Sequence, residues 1–244
     1  MSAQLQLFES RDSSSERWTV RVSRRARRMS VRVYPGGRVE VVVPPGASPA
    51  AIQKFIGTHR QWIHRRVEDL STAAAADESH PASIKLPAIG RHFAVDYEHA
   101  AESTARVRVA GENVLVVSGP LHDDRAIAAA LRSWLADLAQ HQLGTELAKV
   151  AAEGSFRYVR AQIRRQRTRW GSCSASGTIS LNVCLLFLRP QVVRYLLIHE
   201  LCHTRHMNHS AKFWAAVESF EPDYRALDQE LLRGWQSVPG WMFS

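Results

Sequence analysis

The chain lacks most of what would staple or anchor it. Three cysteines in 244 residues, Cys173, Cys184 and Cys202, are too few and too odd in number for a disulfide framework. No Cys-x-x-Cys pair occurs, so a zinc ribbon is excluded. A reduced, cytoplasmic setting is expected on that ground. No stretch approaches the roughly 20 apolar residues that cross a bilayer, so no membrane association is expected. The opening residues, MSAQLQLFESRDSSSERW, lack the basic-then-apolar order of a secretory leader. Acidic residues are in deficit, 23 against 32 Lys and Arg, leaving a formal charge of +9. Such an excess points to nucleic acid or acidic substrates as partners, or else to a solvated Arg-rich surface. No internal repeat is visible.

What is present reads as folded protein, with 45% apolar residues. Residues 18–22 and 29–34 alternate apolar and polar positions as half-buried strands do, and Pro35-Gly36-Gly37 supplies a turn into a strand over 38–43. Ser48 and Pro49 read as the cap and first position of a helix to about Leu70. The small, polar stretch 71–83 is a linker candidate. Strands are expected near 84–97, 105–110 and 114–118. Asp123 or Asp124 then caps a helix to about Ala152, with Ile127, Leu131, Leu135, Leu138, Leu143 and Leu147 as its core stripe. Residues 158–188 read as strands, broken at Gly171-Ser172 and Ser176-Gly177. A helix follows from Pro190 to about His206, with further helices at 211–220 and 222–235. This order predicts an α+β protein. Its parts are a polar tail over 1–16, a β-rich part over 17–118 with one helix near 48–70, and a mixed α/β catalytic part over 119–244.

Residues 199–203 read His-Glu-Leu-Cys-His inside a predicted helix. There His199 and His203 lie one turn apart on the same face, so both imidazoles reach one metal. Glu200 sits about 60° round the helix from His203, near enough to touch a water at the metal and too displaced to be an ideal ligand. A general base for metal-assisted hydrolysis needs that placement. A catalytic zinc takes three protein ligands and keeps one position open. Asn208 is a turn residue that lets the chain fold back and present His209, and His206 is the alternative third ligand. A structural zinc would instead need a fourth ligand, for which Cys173 or Cys184 is available.

The segments Arg169-Trp-Gly-Ser-Cys-Ser174, Leu181-Asn182, Tyr195…His199-Glu-Leu-Cys-His203, Asn208-His209-Ser210 and Phe213-Trp214 resemble the YgjP-like metallopeptidases, relatives of the SprT and Spartan proteases. The match is strong over roughly the last 80 residues. The resemblance implies a zincin-like catalytic part, zinc on His199, His203 and His209, and Glu200 as catalytic base. It implies a peptide or protein substrate, as SprT-like relatives cleave proteins attached to DNA. A bacterial relative releases pyrophosphate from UTP, so a metal-dependent UTP pyrophosphohydrolase is the alternative activity. A third reading is a non-enzymatic basic nucleic-acid-binding module with structural zinc.

Candidate substrate contacts are Trp170, Gly171, Ser172, Arg167, Arg169 and Asn182. Gly171 admits a close backbone approach, and an exposed strand edge there would pair with an extended peptide. The alternative is a bulge that packs Trp170 into the core. Asn182 either orients a ligand or bonds the backbone. Cys202 is expected as a small buried residue, Phe213 and Trp214 as packing behind the zinc helix. Asp223 or Glu218 is expected to hold a ligand imidazole. Two arginine runs, over residues 21–32 and 157–169, are candidates for phosphate or nucleic acid, or for solvent-facing strand positions.

Overall fold

The computed structural model describes residues 4–5, 18–34, 37–71 and 80–243. The expected tail lies outside them except for Gln4–Leu5, as do Pro35-Gly36 and most of the expected linker. Contacts divide the chain into two compact units, Met1–Ala76 and Asp77–Ser244.

In the first unit the alternating segments form strands β2 (Trp18–Val22), β3 (Ser30–Val33) and β4 (Val39–Val43). The short β1 (Gln4–Leu5) pairs with β2. Strand β4 is interior, parallel to β2 and antiparallel to β3. Its near-continuous valine run suits that place, since Val39, Val41, Val42 and Val43 are all buried. Helix α1 (Pro49–Ser71) opens as the sequence predicts, with the Ser48 hydroxyl accepting from the Ala51 amide at 3.2 Å.

The second unit begins with a four-stranded sheet of order β5-β6-β8-β7. Its strands are β5 (Ser83–Leu86), β6 (Arg91–His99), β7 (Arg106–Val109) and β8 (Val114–Gly119). The single strand expected near 84–97 is thus two, split by a 3₁₀ turn at Pro87–Ile89 that ends on left-handed Gly90. Helix α2 (Asp124–Glu153) follows, its first amides bonded by Asp123 at 3.0 Å. Ala139 stands in the buried stripe where Leu138 was expected. The stripe packs against β7 and β8 on one side and against the C-terminal elements on the other. The apolar face of α2 needs that sheet, so strands 83–119 group with the catalytic half and the expected boundary at 118/119 moves to 76/77.

A three-stranded sheet carries the chain to the site. Strands β9 (Arg160–Arg164), β10 (Gly171–Cys173) and β11 (Thr178–Asn182) are ordered β10-β11-β9, with β11 antiparallel to β10 and parallel to β9. Val183–Phe187, expected as strand, is a wholly buried 3₁₀ turn. An unbroken apolar run has no alternation to separate strand from turn. Helices α3 (Pro190–Cys202), α4 (Ala211–Phe220) and α5 (Tyr224–Arg233) complete the unit. Helix α3 is surrounded by α2, α4, α5 and β10. Among the described residues no helix is long and apolar enough to cross a membrane.

Candidate metal centre

Helix α3 starts with Pro190 in its first turn and ends at Cys202, shorter than expected, with His203 as its C-cap. Ending there turns the chain at once: the Arg205 and His206 amides bond back to the Cys202 carbonyl, and α4 begins at Ala211. His209 is thereby returned to the helix. One nitrogen from each of His199, His203 and His209 lies within 4.8 Å of the others. The Nε2 atoms of His199 and His209 are 3.1 Å apart. His206 contributes its backbone instead, its carbonyl lying 3.0 Å from His203 Nδ1.

The tautomers follow from these partners. A carbonyl only accepts, so His203 Nδ1 carries the proton and Nε2 keeps its lone pair. Tyr195, one turn before His199, donates its hydroxyl proton to Asp228 Oδ1 at 2.8 Å. Its oxygen is then the acceptor for His199 Nδ1, 3.4 Å away, which leaves His199 Nε2 free to face His209. Burial, with His203 and His209 close by, pushes His199 down to about 3. His203 is lowered too, chiefly by burial. Neutral imidazoles with converging lone pairs are what a divalent ion takes. Two nitrogens on one tetrahedral zinc stand about 3.3 Å apart for bonds of about 2.0–2.1 Å, close to the observed pair.

The imidazoles are walled by aromatic rings. Phe213 is fully buried and stacks on His203 at 4.5 Å, and Trp214 stacks on His209 at 5.5 Å. Phe213 packs in the core as the sequence leads one to expect, and both rings also meet the histidines. Asp228 replaces the expected Asp223 or Glu218. Glu218 faces Arg225 at 3.6 Å, and Asp223 precedes α5 without capping it. The overlooked signal was a carboxylate on the apolar face of α5, one turn from buried Tyr224 and beside buried Leu227. Tyr195→Phe keeps the ring and removes the hydroxyl. It is expected to weaken metal binding by about 10- to 100-fold, read by chelator competition. Unchanged affinity would show that the phenol does not hold His199.

Glu200 is 4% exposed and lies against β10. A Cβ built on Gly171 would stand 2.6 Å from Glu200 Oε1 and 2.9 Å from Cγ, so this glycine is needed for space. Oε2 is buried with no hydrogen-bond partner among the described residues. Burial pushes the carboxyl up to about 8, and Arg169 opposes the rise. Gly171→Ala must displace Glu200, by about an ångström, while leaving the three histidines in place. A fall of about 100-fold in kcat with metal content unchanged is expected. Loss of metal in parallel with activity would count against this reading.

The other expected contacts divide. Trp170 is internal, 7% exposed and stacked on Trp235 at 4.1 Å, which is the packed position the sequence offers as its alternative. Asn182 is fully buried. Its Nδ2 donates to the Gln166 and Arg169 carbonyls at 2.7 and 2.8 Å, and its Oδ1 accepts from the Cys184 amide at 3.0 Å. It therefore pins the loop between β9 and β10, with both Nδ2 hydrogens and one Oδ1 lone pair engaged. Ser172 is half-buried in β10, opposite Ser180. Arg167 donates to the Phe243 carbonyl at 3.1 Å, and Arg169 is exposed beside Glu200. No cysteine joins the histidines among the described residues. Burial holds the Cys184 thiol up at about 12 and the Cys202 thiol at about 11, which opposes thiolate ligation.

A family model described as YgjP-like, metallopeptidase domain, matches residues 27–233. Among solved structures the chain is similar to the metallopeptidase zymogen of Pyrococcus abyssi abylysin, at 25% identity and a TM-score of 0.34, over 36% of this chain and 90% of that one. It is also similar to the metallopeptidase zymogen of Methanocaldococcus jannaschii jannalysin, at 16% identity and a TM-score of 0.33, over 36% of this chain and 92% of that one. Comparison with curated proteins gives no match.

Proposed function

This chain belongs to the YgjP-like metallopeptidase family, and on that premise we propose that it is a zinc peptidase with Glu200 as its general base. In this reading His199, His203 and His209 hold the ion. The observation that carries it is the convergence of three imidazole nitrogens within 4.8 Å, beside a buried carboxylate with one oxygen unpartnered among the described residues. Zinc held there supplies a Lewis acid that acidifies water and polarises the scissile carbonyl. Glu200 takes the proton of the attacking water and delivers it to the leaving amine nitrogen. Gly171 gives that carboxylate its room, and Tyr195 with Asp228 fixes the His199 ring. Strand β10 is an edge strand beside α3, and an extended peptide pairing with that edge would pass Glu200.

Arg169 is the arginine of 157–169 that opposes the rise of Glu200. The remaining cations favour substrates associated with nucleic acid, a preference that salt-dependent binding would reveal. The test is cleavage of an unfolded protein by the zinc-loaded chain, read as fragments by mass spectrometry, with UTP in a parallel phosphate-release assay. Fragments that disappear with chelator support the proposal. Phosphate release without proteolysis would sink it.

A further inference from the structure

The positive charge of this chain is gathered in one of its two units. Met1–Ala76 carries 13 Lys and Arg against 6 Asp and Glu, whereas Asp77–Ser244 carries 19 against 17. Lys54 is the single lysine among those 13. The rest are arginine, the weakly hydrated cation whose fork fits phosphate oxygens.

Strand register sorts the first unit into two faces. Val20 and Val31 pair with Val41, Val22 with Val43 and Val33 with Val39, so these valines share one face. Thr19, Arg21, Ser30, Arg32 and Glu40 take the alternate positions, and Thr19, Ser30 and Arg32 are exposed. Helix α1, which packs on β3 and β4 with Ile63 fully buried, therefore covers the valine side and leaves the polar face open. Glu40 is the one carboxylate there. It faces Arg21 at 3.1 Å and Arg32 at 3.8 Å, and it accepts the Tyr34 hydroxyl at 3.0 Å. Arg38 lies over the Tyr34 ring at 4.4 Å.

At one end of this face the connection between β2 and β3 adds four more cations. Arg24, Arg25, Arg27 and Arg28 are all exposed. Their loop is tied in place, the Ala26 amide donating to the Ser23 carbonyl at 3.0 Å and the Ser23 amide to the Val43 carbonyl at 2.9 Å. None of the four arginines pairs with a carboxylate among the described residues. In the second unit arginines do find carboxylates, as Arg106 does with Glu102, Arg108 with Glu98 and Arg189 with Glu230. Four like charges in five positions repel one another, and a dense polyanion offsets that cost. Duplex nucleic acid is such a polyanion, with one charge per about 1.7 Å of axis. Unpaired bases would want aromatic platforms, and on this face Arg38 already covers the Tyr34 ring.

We propose that the loop between β2 and β3, with the polar face of β2, β3 and β4, is a docking surface for duplex nucleic acid. It holds phosphates and has no base preference. This names the surface behind the nucleic-acid preference stated above, and it needs neither zinc nor Glu200.

The test is fluorescence anisotropy of a labelled 20-base-pair duplex of mixed sequence (about two helical turns), titrated with the full chain at several salt concentrations. Removing four phosphate contacts in Arg24→Ser/Arg25→Ser/Arg27→Ser/Arg28→Ser should reduce the slope of log affinity against log salt by about 3 to 4. Replacing the same four by lysine should keep the slope within about 1 of wild type. Ser30→Glu, which sets a carboxylate on the open face away from the loop, should weaken binding about fivefold or more. Three results overturn the proposal at the loop: no duplex binding at low salt, an unchanged slope in the serine variant, or an equal loss in Arg157→Ser/Arg160→Ser/Arg164→Ser/Arg165→Ser. Tighter binding of a single strand of the same length, or loop-dependent binding to phosphatidylserine vesicles without duplex binding, overturns the choice of partner. Duplex binding that persists in a chain without proteolytic activity would sink the peptidase reading and leave this surface standing.

Discussion

Glu200→Gln is expected to keep its zinc and to lower peptide hydrolysis by about 10²- to 10⁴-fold, the range that general base catalysis supplies. Gln has nearly the shape of Glu, so it fits against Gly171 and changes only the capacity to hold a proton. Full activity with zinc bound would remove Glu200 from the mechanism. A second measurement tests the burial that the argument relies on. Burial raises this carboxyl from its ordinary 4.5 to about 8, so the folded metal-free chain retains a proton that the unfolded chain releases across that window. Stability present below about pH 4.5 is then lost as the pH rises through about 8. Metal-free Glu200→Gln cannot ionise there and should decline less over that window, as urea midpoints at about pH 5 and about pH 8.5 would report. Parallel declines would mean that the carboxylate is solvated.

How much of this was legible beforehand depends on the kind of signal. Helices α2 and α4 were readable because a cap or a period of 3.6 residues is local: Asp123 bonds two amides, and Ala211–Phe220 begins and ends where its pattern does. The grouping of elements was not local. Nothing in strands 83–119 says that they pack on α2, because the burial of α2 on two sides appears only when both sheets are in place. The end of α3 was misread for a related reason. The helix stops at Cys202 because the amides of residues 205 and 206 turn back onto its carbonyl, and no glycine or proline marks that turn.

At the site, spacing alone puts His199 and His203 one turn apart on α3, where each brings a nitrogen to the cluster with His209, since four residues on a helix have a fixed angular consequence. The supporting groups were harder. Asn182 and Trp170 each read two ways from the sequence, as cleft residues or as a backbone tie and a core ring. Only the closure of the loop between β9 and β10 shows that Asn182 satisfies three backbone groups and that Trp170 stacks on Trp235, more than sixty positions later. Asp228 was hidden by distance in the same way. Its link to the metal centre passes through Tyr195, and a three-member chain across two helices has no sequence period to announce it.

The contrast between His209→Ala and His206→Ala decides the third ligand. His209 is exposed on the segment between α3 and α4, so its truncation leaves no core cavity, and the metal-free variant should stay within about 0.5 kcal/mol of wild type. The loaded proteins should differ widely. Zinc at 100 times its dissociation constant stabilises the wild type by about 2.7 kcal/mol, and most of that shift should vanish in His209→Ala. The loss in affinity should exceed the roughly 10- to 100-fold cost of altering a group outside the ligand set, because a whole donor is removed from a set of three. His206→Ala should retain the metal, since residue 206 serves His203 through its backbone carbonyl, which alanine also carries. Metal content per chain after dialysis, with melting temperature at several zinc concentrations, measures both. Zinc kept by His209→Ala and lost by His206→Ala would transfer the ligand to position 206 and require the segment after Cys202 to run differently. Zinc kept by both would leave the two helical histidines as the core of the site and call for a ligand from outside the three.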